Sequence, residues 1–383
     1  IQYLGPVDGH NIHKLIKIFN IAKRVDSPVL VHVVTQKGHG YAPAEKNPSR
    51  FHGIGPFDIK TGKSLSVGKG ESYSAVFSRK ICDIAKNDRS VVAITAAMPD
   101  GTGLDKFKKW FPDRFFDVGI AEEHAVTFSA GLAAGGMKPV FAVYSSFLQR
   151  AFDQILHDVC MQQLHVVFAI DRAGLVGSDG ETHQGIFDLS FLSVIPNMTI
   201  IAPKNGWELE NALEFALEHF YGPIAIRYPR GCAYTGLSEY VQPIEYGKSE
   251  LIHEGSHICL MAVGNMMETA LTTGERLKEY NIDATIVNAR FVKPIDEDMI
   301  CDIADEHELL VTLEENVYTG GFGEAVSRYT QMNGLSIRTL GIALPDDYIE
   351  HGNVDILKHE AGIDAEAVFD RIMETIADMK NNG

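Results

Sequence analysis

Asp117-Val118-Gly119-Ile120-Ala121-Glu122-Glu123-His124-Ala125 joins an apolar, strand-like approach to a helix whose first turn carries two carboxylates. Ser129, Ala130, Gly131, Ala133 and Ala134 continue that helix with small side chains. They let it lie close to another backbone or to a flat ligand. A glutamate placed there can reach a ring nitrogen of a bound cofactor. The plainer reading is that acids at a helix start answer the helix dipole. These nine residues leave both readings open. A strand that runs straight into a helix is the repeating unit of an α/β fold, and the surrounding chain repeats it.

From about Ser72 to about Pro243, strand patterns at Val91–Thr95, Pro139–Val143, Val166–Ile170, Thr199–Ala202 and Ile224–Arg227 alternate with helical ones. This predicts an open α/β domain with a mainly parallel sheet. From about Gly247 onward, strands are expected at Ile258–Val263, Ala284–Asn288 and Leu309–Leu313, giving a second, smaller α/β domain. Before both, a helix is expected over His10–Arg24, with Ile12, Leu15, Ile16 and Phe19 on one face. Val29–Val34 then reads as a strand of a parallel sheet covered on both faces. Gln36 to Gly70, rich in Gly, Pro, Lys and Ser, reads as loop and linker.

The 383 residues suffice for two or three domains with full cores. Hydrophobic residues make up 45% and charged residues 22%, and no apolar run reaches the length of a membrane span. The net charge is −17, which argues against nucleic acid or an anionic membrane as partner. Five cysteines, Cys82, Cys160, Cys232, Cys259 and Cys301, stand apart with no CxxC pair. That suits a reduced, cytoplasmic enzyme better than a disulfide scaffold or a zinc site. The opening Ile1-Gln2-Tyr3-Leu4 has neither an initiator Met nor signal character, and reads as the middle of a longer polypeptide.

Ligands of an open parallel sheet bind beyond the carboxyl ends of its strands. Three stretches stand there. Tyr144-Ser145-Ser146-Phe147-Leu148-Gln149-Arg150 leads into a helix with Arg150, Asp153, Gln154 and His157 on one stripe. By spacing, this is a solvated face with an Arg–Asp pair. Asp171 to Gly185 holds four glycines in fifteen residues among Asp, Arg, Glu and His. An ordered loop of that kind points to function. Arg227-Tyr228-Pro229-Arg230-Gly231 places two arginines at a strand end, where guanidinium groups can hold a phosphate. The set suits a small phosphorylated, hydroxylated substrate and proton transfer. Tyr318-Thr319-Gly320-Gly321-Phe322-Gly323-Glu324 does not meet the GxGxxG spacing, and reads as a tight loop before a packing helix rather than a nucleotide site.

Taken together with Tyr3–His10, Lys37–Lys46 and Phe51-His52-Gly53, these motifs resemble, in order and over essentially the whole chain, the 1-deoxy-D-xylulose-5-phosphate synthase family of the transketolase superfamily. The resemblance implies two complete open α/β domains with mainly parallel sheets, a pyrimidine-binding domain (69–243) and a C-terminal domain (246–383). They follow the tail of a diphosphate-binding domain with its linker (1–68). It implies thiamine diphosphate as cofactor, pyruvate and D-glyceraldehyde 3-phosphate as substrates, and a product that serves isoprenoid, thiamine and pyridoxal synthesis. Glu122 would hydrogen-bond the aminopyrimidine ring, Phe147 would stack on it, and Ile120 would line it. Arg172 and Arg230 would hold the aldehyde's phosphate, with Tyr144 and Arg150 nearby. Asp179 and His183 would contact substrate oxygens and move protons, and His52 matches an active-site histidine of the family.

The family's Gly-Asp-Gly motif with its following asparagine, which binds Mg²⁺ and the diphosphate, is absent, as is its N-terminal catalytic histidine. The chain alone is therefore expected to bind the cofactor weakly and not to turn over. A homodimer is expected, together with a missing N-terminal domain or partner fragment. The rival readings are the β subunit of a 2-oxo-acid dehydrogenase and a non-catalytic interaction chain of the same fold.

Overall fold

Near-continuous apolar runs become strands buried on both faces, because helices from the intervening segments cover each side of the sheet. The computed structural model describes residues 1–52, 54–65 and 70–382 and divides into two units, Ile1–Lys69 and Gly70–Gly383. Gly53 of the Phe51-His52-Gly53 motif and the expected boundary at 68/69 lie outside the described residues.

In the first unit, β1 (Gln2–Asp8) pairs in parallel with β2 (Val29–Val34). The helix between them spans Ile12–Ala22. It starts at Asn11, whose side chain accepts from the Lys14 amide at 3.1 Å, and so is shorter than the expected His10–Arg24. β2 is parallel, as expected, but its positions are mostly exposed, and no residue of the helix is buried. The covering expected for β2 is thus not found, because a two-stranded sheet with one helix offers too little surface to enclose either face. Gln36–Gly70 is not only loop. Ala42–Lys46 is a short helix, beside a cluster of Tyr41, Phe51 and Phe57.

The second unit carries β3 (Val91–Thr95), β4 (Phe115–Asp117), β5 (Lys138–Tyr144), β6 (Val167–Asp171), β7 (Thr199–Ile201) and β8 (Ile224–Arg227). Then follow β9 (Glu250–His253), β10 (His257–Ala262), β11 (Thr285–Asn288), β12 (Phe291–Lys293), β13 (His307–Val317) and β14 (Arg338–Leu344). One sheet has the order β12-β7-β8-β6-β5-β3-β4, the other β14-β13-β10-β11-β9. Each is parallel except for one edge, β12 on β7 and β9 on β11. The α/β class expected from the sequence is the class observed.

Four strands of this unit, β4, β9, β12 and β14, were not expected, and neither was β1 of the first. β12 is the most consequential. It follows β11 of the second sheet yet pairs with β7 of the first, Phe291 opposite Ile201. Beside this crossing lies a buried charge cluster. Lys204 Nζ stands 2.6 Å from Glu250 and 3.3 Å from Glu208, and Arg290 Nε stands 2.8 Å from Glu208. Asn288 donates to Glu208 at 2.9 Å. All five residues are at most 2% exposed. Two cations and two anions cancel, which is what lets them stay buried.

Candidate active site

β5 and β6 end together, Tyr144 opposite Asp171, and Ile170 stands opposite Arg227 at the end of β8. This register brings the three stretches singled out in the sequence to one edge of the sheet. The Arg172 guanidinium stacks 3.9 Å over the Tyr144 ring. Arg172 holds a φ of 59°, a left-handed backbone that costs energy for a side chain of its size. Its Nη1 donates to Asp179 at 3.2 Å, and Arg230 Nη1 donates to the same Asp179 oxygen at 2.9 Å. Two guanidinium groups thus converge on one carboxylate.

On the other side of Tyr144, its ring centroid lies 5.6 Å from that of Phe147. Phe147 meets the His183 ring edge-on at 5.3 Å. Arg150 lies 4.9 Å over the same Phe147 and donates to Glu122 Oε1 at 2.7 Å. Glu122 begins the helix Glu122–Ala134 and is 2% exposed. Glu122, Arg150, Phe147, His183, Tyr144, Arg172, Asp179 and Arg230 therefore form one continuous set of contacts. Ile120 stands two residues before Glu122 with its side chain 82% exposed. His52 is exposed and belongs to the first unit, where its amide donates to Ser49 O at 3.2 Å.

The Arg–Asp pair expected from helical spacing is not formed. Asp153 pairs with His157 at 2.9 Å, and Arg150 turns to Glu122. The segment is not one regular helix. Short α turns at Ser145–Leu148 and Phe152–Gln154 flank a 3₁₀ turn, and a π-helix follows over Ile155–Cys160. The change of pitch breaks the stripe that regular spacing predicts.

Two features escaped the sequence. Gly101 is needed beside Tyr144, since a Cβ there would lie 1.7 Å from the phenol oxygen. Asp171 is buried under the site. Its Oδ2 accepts from Ser74 at 2.6 Å, while Oδ1 has no partner. Burial pushes its carboxyl up to about 6. Burial also raises the phenols of Tyr144 and Tyr228, and Asp171 adds to both. The available signal was a carboxylate ending an apolar strand directly before an arginine.

The glycine loop before the helix Phe322–Met332 holds no free anion site. Glu314 fills it, accepting from the amides of Phe322 and Gly323 at 2.8 Å each. Burial raises this carboxyl to about 8.

The chemistry of the donor set fits half of thiamine diphosphate. Glu122 presents a buried carboxylate whose Oε2 has no hydrogen-bond partner among the described residues, and Phe147 presents an aromatic face. Among the described residues, no comparable set for a diphosphate with its cation lies at this edge. The one three-ligand group among them is Glu214, Glu218 and His219, elsewhere, where the helix Gly206–Glu214 passes into a π-helical turn.

Residues 69–234 match the family model of the transketolase pyrimidine binding domain, and residues 247–368 that of the transketolase C-terminal domain. Residues 1–35 match the model described as 1-deoxy-D-xylulose-5-phosphate synthase. The chain is 56% identical over 373 residues to the 1-deoxy-D-xylulose-5-phosphate synthase of Lachnoclostridium phytofermentans, covering 97% of this chain and 60% of that one. It is 52% identical over 374 residues to the enzyme of the same name from Clostridium tetani, covering 98% and 60%. The chain thus spans about 60% of the length of these relatives. A split-gene transketolase, described as an inactive β4 tetramer, superposes with a TM-score of 0.72 at 27% identity, over 80% of this chain and 98% of that one. A transketolase from Pichia stipitis superposes with a TM-score of 0.67 at 16% identity, over 82% and 47%, and speaks to the fold alone.

Proposed function

This chain belongs to the 1-deoxy-D-xylulose-5-phosphate synthase family, and from that premise we propose that it supplies the pyrimidine-binding part of a thiamine diphosphate-dependent transferase. The reaction joins pyruvate to D-glyceraldehyde 3-phosphate with release of CO2, giving 1-deoxy-D-xylulose 5-phosphate for isoprenoid and thiamine synthesis. The observation that carries this reading is the continuous set of contacts from Glu122 to Arg230 at the carboxyl edge of the sheet.

Thiamine diphosphate, when bound, supplies the nucleophilic carbon and the electron sink for decarboxylation. Glu122 would hold the aminopyrimidine ring through the oxygen that Arg150 leaves free. Phe147 and Ile120 would provide its apolar surroundings. Arg172 and Arg230 exchange their shared carboxylate for the phosphate of the aldehyde. Tyr144 supports Arg172 from below, and Arg150 stands beside it. Asp179 and His183 hold substrate oxygens and move protons, and His52 is the active-site histidine that the resemblance to the family assigns.

In this reading residues 1–68 are the tail of a diphosphate-binding domain with its linker, 69–243 the pyrimidine-binding domain and 246–383 the C-terminal domain. Mg²⁺ and the diphosphate are held by polypeptide beyond this chain, as the 60% share of the relatives' length supports. The active form is a homodimer completed by that polypeptide, in the cytoplasm, a setting with which the five free cysteines agree. Family membership replaces the 2-oxo-acid dehydrogenase reading.

The test is an assay of the chain with pyruvate, D-glyceraldehyde 3-phosphate, thiamine diphosphate and Mg²⁺, without and with the missing N-terminal polypeptide. Product only in the completed assembly is the expected result. No product in either would leave the non-catalytic reading.

A further inference from the structure

The loop that carries Asp179 and His183 is held from two sides: within its own domain Arg230 donates to Val176 O at 3.2 Å, and the other sheet holds it as well. Glu315, at the end of β13 in the other sheet, is 1% exposed and reaches across to it. Its Oε1 accepts from the Leu175 amide at 2.9 Å. Asn265 donates to Oε2, and Lys358 stands 3.9 Å from the same oxygen. The loop passes so close that a Cβ on Gly174 would lie 2.7 Å from the Glu315 carboxyl carbon.

The stitching continues on both sides. The Val317 amide donates to Ile186 O at 3.0 Å, and Asn316 accepts from the Leu189 amide at 3.2 Å. Gln184 accepts from the Val176 amide at 2.7 Å and donates to Glu350 O at 3.0 Å. A Cβ on Gly180 would meet the His351 side chain at 3.3 Å. A loop rich in glycine has many conformations open to it, and here one of them is selected from outside.

We infer that Glu315 is a positioning residue for the phosphate end of the substrate: by accepting the Leu175 amide it fixes the loop 174–185, and with it the point where Asp179 meets Arg172 and Arg230. The identity of that substrate rests on the synthase reading, but the fixing of the loop does not. The C-terminal domain is then part of the active site's scaffold although none of the expected site residues belongs to it.

The test pairs two readouts on Glu315→Ala and Glu315→Gln. Hydrogen exchange is read at the amides of 175–185 in this chain, and Michaelis constants are read in the active assembly. Glu315→Ala is expected to expose the Leu175 amide, speed exchange across the loop, and raise KM for D-glyceraldehyde 3-phosphate roughly tenfold, with KM for pyruvate little changed. Glu315→Gln keeps an acceptor oxygen and should restore both. Asn265→Ala, which leaves Glu315 in place and removes its brace, should move both readouts part of the way, and serves if Glu315→Ala does not fold.

Unchanged exchange at Leu175 in Glu315→Ala, or equal loss for both substrates without rescue by glutamine, overturns the inference. A wild-type assembly that makes no product removes the synthase reading, and the exchange data alone then decide whether Glu315 positions the loop.

Discussion

Arg150 donates to Glu122 across 2.7 Å, from an irregular helical segment to the first residue of a regular helix. The glutamate is buried and the arginine is half exposed. One carboxylate oxygen is thereby held and the other left available, so the pair aims the glutamate as well as keeping its charge.

Glu122→Gln keeps the shape and removes the charge. It is expected to lower turnover of the completed assembly at least a hundredfold, the usual scale for losing a group that directs proton movement. Arg150→Met leaves the buried Glu122 carboxylate without its cation and should destabilise the fold by about 1–3 kcal/mol, the cost of a buried acceptor left unpaired. It should also weaken thiamine diphosphate binding. Calorimetric titration of the cofactor and steady-state rates check both, and wild-type turnover in Glu122→Gln would refute the assignment.

The convergence of Arg172 and Arg230 on Asp179 makes a second prediction. Arg230→Lys keeps a charge but loses the planar fork. KM for the phosphorylated aldehyde should rise about tenfold or more while KM for pyruvate stays within about twofold, as removal of one charge-assisted bond implies. Equal changes in the two constants would place the phosphate elsewhere.

Asp171 predicts a pH dependence. Its carboxyl titrates near 6 in the fold, against an ordinary value of 3.8. The fold prefers the protonated form, so this group's contribution is full below about 4, falls as pH rises through 6, and stays lost above. Asp171→Asn removes that loss. Its stability relative to wild type should therefore rise by about 3 kcal/mol between pH 4 and pH 7, the equivalent of about two pH units. Urea unfolding at a series of pH values measures it, and a flat difference would mean that Asp171 is ionised without cost.

The buried cluster across the two sheets predicts strong coupling. Lys204→Met leaves Glu250 buried beside one fewer cation, and should destabilise by about 3–5 kcal/mol. Adding Glu250→Gln should recover much of that loss, giving a coupling energy above about 1 kcal/mol in a double-mutant cycle. Additive effects would show that the pair does not hold the sheets together.

Much of this was legible in the residues. The strands Val91–Thr95 and Ile224–Arg227 coincide with β3 and β8, because a run of apolar residues of strand length between turn signals has few other ways to be buried. Short edge strands were not legible. Phe291–Lys293 has three residues, too few for a pattern, and its pairing with β7 depends on where the chain has already gone. Arg150 was misread for a related reason. Spacing assumes a regular helix, and the π-turn that follows is a tertiary outcome.

By itself the sequence determined the α/β class, the central strands, and the residue types gathered at their carboxyl ends, since periodicity and local turn chemistry are short-range properties. Only the tertiary structure decided which of those residues meet. Register put Tyr144 beside Asp171. A change of helical pitch turned Arg150 from Asp153 to Glu122. Glu315 found the Leu175 amide 140 residues away in sequence. Such partners are chosen by the packing of whole sheets, where the cost of leaving a buried charge or amide unpaired acts between segments that carry no local mark of one another.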